Sequence, residues 1–147
     1  MKPTALVTLT ALAFLTGAAV ADDEDYIKYR QAMMKAIAGH MGASTQIVRG
    51  KVAPEGDLLM HARALAELNA HLPRLFPAGS DFGETKAKPA IWDEPAKFEQ
   101  ATTAARDATA AFLGAVEGGD AAAIAAAHKD VGQACKGCHE DFRQKDD

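Results

Sequence analysis

The 147 residues contain two cysteines, Cys135 and Cys138, and His139 follows the second directly. On a helix, positions 135, 138 and 139 project from one face within a single turn. Cys-x-x-Cys-His is the attachment signature of c-type haem. Each thiol adds across one vinyl group of the porphyrin, and the adjacent imidazole then lies beneath the iron as proximal ligand. Three other readings compete. A thiol–disulfide redox pair needs its motif after a strand, at a helix start. A zinc centre needs further cysteines or a matched histidine pair. A chance match on an alanine-rich helix needs nothing at all.

What could position such a group depends on where the chain goes. Lys2 precedes the apolar run "ALVTLTALAFLTGAAV", and Ala19-Val20-Ala21 is the small-x-small pattern of a signal-peptidase site. A retained anchor is the alternative, and the polar "ADDEDY" that follows argues against it. The sequence therefore predicts a cleaved leader at 1–21, a single mature domain at 22–147, and export to the periplasm. Loss of Lys2 takes the net charge of −4 to −5. An acidic chain without a basic stripe excludes nucleic-acid binding. No second apolar run approaches membrane length, so no membrane association is expected after cleavage. In an oxidising space two free thiols would normally pair; thioether bonds to haem account for both.

The rest of the chain reads as helix, with abundant alanine and few β-branched residues. A first helix spans about Glu24 to Arg49, with Tyr26, Tyr29, Met33, Ile37, Met41 and Val48 on its stripe and Gly50 as its stop. A second starts near Asp57, carries Leu58, Ala62, Leu65, Leu68, Leu72 and Leu75, and is bent or ended by Pro73. A long Gly- and Pro-rich connection follows, from about Pro77 to Trp92, of the kind that covers a site. Asp93 reads as the N-cap of a third helix, with Pro95 in its first turn. Its face is Phe98, Ala101, Ala105, Ala108 and Phe112, and it stops at Gly118-Gly119. Asp120 caps a fourth, striped by Ile124, Ala127, Val131, Ala134, Cys138 and Phe142. Four such helices predict an all-α, antiparallel up-down-up-down four-helix bundle. Alanine-rich faces leave room for something large inside.

The chain resembles the class II c-type cytochromes, chiefly the cytochrome c′ family. The resemblance rests on the terminal haem motif with "CHEDFR", on "KYRQ" followed by Met34, on "LPRLFPAGS" (72–80), on "PAIW" (89–92), and on "GGD" before the last helix. It implies one covalent haem c, held by Cys135 and Cys138, with His139 as axial iron ligand and Arg143 on the proximal side. It places Arg30 and Gln31 at the haem edge, where a propionate would accept charge-assisted hydrogen bonds; Thr85 and Lys86 are weaker candidates for that task. Phe76 is expected in the distal pocket or simply in the core, and Trp92 and Tyr29 near the haem edge.

Met34 then decides the mechanism. As sixth iron ligand it would make a low-spin electron carrier. As a packed side chain it would leave a five-coordinate, high-spin iron open to nitric oxide and carbon monoxide. The remaining pattern favours packing. His40 is expected at the surface or a helix interface, and His61, His71 and His128 show no ligand spacing. The resemblance further implies a homodimer through the first two helices, with Ile47 or Leu59 exposed there, and a redox partner. A peroxidase would need a distal histidine or arginine, which the distal stripe lacks, so no enzymatic activity is expected.

Overall fold

The computed structural model describes residues 23–145; the leader expected at 1–21 lies outside them. α1 (Asp23–Val48), α2 (Asp57–Ala70), α4 (Pro95–Gly118) and α5 (Ala121–Phe142) form the bundle. A 3-10 turn (Leu72–Leu75) follows α2, and a one-turn helix, α3 (Ala90–Asp93), precedes α4. No strand occurs among the described residues, and no helix there is long and apolar enough to cross a membrane.

Local chemistry sets most boundaries. Gly50, at φ 66°, ends α1: its N–H donates to the Ile47 carbonyl at 2.9 Å and Lys51 N–H to Gln46 at 2.9 Å. This paired closure of the last carbonyls requires a left-handed residue. Gly119 ends α4 at φ 75°, its single N–H shared between the Ala115 and Val116 carbonyls at 3.1 and 3.2 Å. Asp120 opens α5, its carboxylate accepting the Ala123 N–H at 2.7 Å. Pro73 stops α2 as expected, but Leu72 and Leu75 stay buried because the 3-10 turn continues the apolar face.

Two expectations about α4 need correcting. Asp93 is not the N-cap of α4. Its N–H bonds to the Pro89 carbonyl at 3.0 Å, so it is already helical, and the extended φ of −125° falls at Glu94. Pro95 takes the first helical position, where its missing N–H has no intrahelical partner to lose. The α4 stripe is also set differently: Thr102 and Thr109 are buried where Ala101 and Ala108 were expected, and the latter two are half-buried. Burial of the threonines is tolerated because each hydroxyl donates to a carbonyl of its own helix, Glu99 at 3.1 Å and Ala105 at 3.0 Å.

The core has two parts. One joins Ile37, Ala62, Leu65, Leu72, Leu75, Ala105, Phe112 and Val131. A smaller one, at the other end, is Ile91, Phe98 and Phe142. Phe76 touches both. α1 packs along α2, α2 along α4 and α4 along α5, whereas α1 meets α5 at few points. The bundle is therefore closed on three sides and loosely closed on the fourth. Ile47 and Leu59 are half-buried rather than exposed; the exposed large apolar side chains of the α1–α2 hairpin are Tyr26, Tyr29, Val52 and Met60.

Candidate cofactor site

α5 carries the chemistry. Its N-cap is fixed by Asp120, and Val131 (1% exposed) anchors its middle. One turn beyond Val131, Cys135 is half-buried against the larger core, and Cys138 half-buried against the smaller one. The cysteine turn thus sits where the two parts of the core separate. His139, next along the helix, is exposed overall.

Neither thiol is activated. Burial pushes Cys135 up, and burial, together with the charge of a neighbouring Cys135 thiolate and of Asp141, pushes Cys138 up to about 11. A redox thiolate needs the opposite shift. No group of three or more His, Cys, Asp or Glu that could hold a metal ion occurs among the described residues. His139 is held below the ordinary 6.5, first by desolvation and then by the Arg143 cation. Both effects favour the neutral imidazole. Arg143 is exposed and lies one turn on, its N–H donating to the His139 carbonyl at 3.1 Å.

Opposite, α1 contributes Met33 and Met34, both half-buried against the larger core along with Phe76. A cleft of about 360 Å³ opens between the C-terminal half of α1 and the N-terminal half of α5, bordered by Met41, Val48, His128 and Gly132. Gly132 is one turn before Cys135, so this open flank leads to the cysteines.

The long connection acts as a strap. Arg30, 4% exposed, donates from Nη1 to the Leu75 carbonyl at 3.1 Å and to Ser80 Oγ at 2.9 Å. Its Nη2 donates to the Ser80 carbonyl at 2.9 Å and Thr85 Oγ1 at 2.8 Å. The guanidinium also lies 4.7 Å from the Phe76 ring centre. Gln31 Nε2 donates to the Glu84 carbonyl at 2.7 Å. From Thr85 the strap reaches α5: Ala87 and Arg143 form an antiparallel bridge, with Lys88 N–H to the Phe142 carbonyl at 2.9 Å and Gln144 N–H to the Lys86 carbonyl at 2.8 Å. Trp92 Nε1 closes the strap on the Pro77 carbonyl at 3.1 Å.

The fold brings Arg30 and Gln31 of α1 against the strap that carries Thr85 and Lys86. Lys86 is exposed, and Tyr29, expected near the haem edge, is 55% exposed. Ser80 was not foreseen as a partner of Arg30, because nothing local in the sequence links positions 50 apart.

These residues suit a flat apolar plate bearing carboxylates. Half-buried Met33, Met34, Phe76, Cys135 and Cys138 offer apolar surface that the polypeptide alone does not cover. The buried Arg30 cation meets only neutral acceptors among the described residues, and burial alone lowers its pKa.

Comparison with known proteins agrees. The family model described as cytochrome c′ matches residues 25–143. The chain belongs to the cytochrome c′ family. Its cofactor is accordingly one covalent haem c. Cytochrome c′ of Pararhodospirillum photometricum is 35% identical over 125 residues, covering 84% of this chain and all of that one. Among solved structures, a carbon monoxide-bound variant of cytochrome c prime from Alcaligenes xylosoxidans matches with a TM-score of 0.79 at 33% identity, covering 85% of this chain and 98% of that one. A nitric oxide complex of another variant matches at 0.80 and 33%, covering 86% and 99%. These neighbours share the four-helix bundle of this member of the cytochrome c′ family.

Proposed function

We propose that the protein is an exported mono-haem cytochrome that binds nitric oxide or carbon monoxide at an open iron site and exchanges electrons with a partner protein. The observation that carries this reading is the placement of Met34, which is half-buried and packed against the larger apolar core, as Phe76 is. In the proposed arrangement Cys135 and Cys138 would hold the porphyrin and His139 would supply a nitrogen to the iron, its neutral form favoured by desolvation and then by Arg143. The haem, when bound, supplies a redox-active iron with an open coordination position. Met34 and Phe76 then exclude water and anions from that position, while small uncharged diatomics enter. Arg30, Gln31, Thr85 and Lys86 lie at the propionate edge, and the strap shields it.

The liganded relatives from Alcaligenes xylosoxidans support the choice of gases. A homodimer through α1 and α2 would cover Tyr26, Val52 and Met60; sedimentation showing a monomer would reject it.

One set of visible spectra tests the iron site. A haemochrome spectrum that survives acid–acetone extraction establishes the thioethers. A single broad ferrous envelope with carbon monoxide binding supports the open site. The weak ferric charge-transfer band of methionine ligation would instead make Met34 the sixth ligand and the protein a plain electron carrier.

A further inference from the structure

Away from the cysteine turn, His40 on α1 and His61 on α2 bring their Nδ1 atoms to 2.9 Å. The ring centres are 5.2 Å apart and the planes cross at 62°. Both residues are half-buried, so each remains open to solvent. Two Nδ1 atoms at this distance can present neither two lone pairs nor two protons to each other: one donates and the other accepts. We propose that this pair of nitrogens is a two-point chelate for a divalent transition-metal ion, copper(II) before others.

The spacing carries the choice of ion. With bonds of about 2.05 Å, two imidazole nitrogens lie about 2.9 Å apart when the bonds meet at a right angle, and about 3.3 Å apart at a tetrahedral ion. The observed separation fits neighbouring positions of a tetragonal ion, the geometry of copper(II) and nickel(II); copper(II) binds most tightly among divalent first-row ions. On loading, the bridging proton moves from Nδ1 to Nε2 of the same ring, which frees both Nδ1 lone pairs without net proton loss. The two helices are held in register beside the pair by Ile37, Ala62 and Leu65, all buried, so both rings sit on rigid elements and need only turn their Nδ1 lone pairs from each other toward the ion. No third His, Cys, Asp or Glu completes the set among the described residues. Water takes the remaining positions, and the ion is exchangeable.

The experiment is titration of the haem-loaded protein with copper(II), and separately with zinc(II), followed by calorimetry and electron paramagnetic resonance. The expected result is one copper per chain, with hyperfine coupling to two nitrogens and weaker binding of zinc. His40→Ala and His61→Ala should each lower copper affinity by at least about tenfold and leave one coupled nitrogen; His71→Ala, at an exposed position, should change neither. His40→Asn and His61→Asn provide a second pair of variants should the alanine ones fail to fold. Copper binding unchanged by substitution at either position, a one-nitrogen signal in the unsubstituted protein, or equal preference for zinc would overturn the proposal.

Discussion

Arg30 grips both halves of Ser80, its hydroxyl from Nη1 and its carbonyl from Nη2, each at 2.9 Å. One side chain of α1 thereby fixes the middle of the strap, and through Thr85 and the Ala87–Arg143 bridge it is linked to the end of α5.

Removing that fork should be costly. Arg30→Ala deletes charge-assisted bonds to buried acceptors and is expected to destabilise by about 3 kcal/mol, lowering the melting temperature by about 10 °C. Arg30→Lys should recover only part of this, since an ammonium cannot span the acceptors in a fork. Thermal denaturation of the two variants checks both points; a full rescue by lysine would show that charge alone matters.

The end of the strap is a smaller contact. A chain ending at Arg143 loses the Gln144 N–H bond to Lys86 and should be less stable by about 1 kcal/mol. At the other end of α5, Asp120→Ala removes the cap on Ala123 and should also cost about 1 kcal/mol. Denaturant midpoints at constant slope measure each.

His128 should make stability pH-dependent. It is buried, 3.1 Å from Ser44 Oγ through Nε2, and its ring meets Phe112 edge-on. Burial, then Arg49, hold its pKa below 6.5 against the raising effect of the Met41 carbonyl. The folded state therefore binds a proton less readily than the unfolded one. The neutral ring's contribution is complete above 6.5 and is lost as pH falls from there toward the depressed folded value. His128→Leu should flatten the stability profile below pH 6.5; an unchanged slope would place the dependence elsewhere.

The thiols give a chemical readout. In haem-free chain, alkylation of Cys138 should be slow at neutral pH and keep accelerating toward about pH 11. Fast alkylation at neutral pH would restore the redox-pair reading.

Met34→Leu distinguishes the roles of that residue. With Met34 packed, the ferric spectrum should be unchanged, because leucine keeps the volume and removes only sulfur. Loss of a low-spin spectrum in the variant would show that sulfur had been bound to iron.

The sequence by itself determined the four long helices, their glycine stops, the Asp120 cap and the cysteine turn, because each depends on residues within a few positions of one another. Family resemblance also named Arg30 and Gln31 of α1 and Thr85 and Lys86 of the strap. Tertiary structure alone decided what those members hold. Arg30 reaches Ser80 and Thr85 across the bundle, Thr102 and Thr109 displace alanines on the buried face of α4, and His40 meets His61 from a second helix. Helical periodicity states which side of a helix is apolar, to within about a residue. Which side chain of a neighbouring helix it then meets depends on the crossing and register of two elements, and no local pattern encodes those.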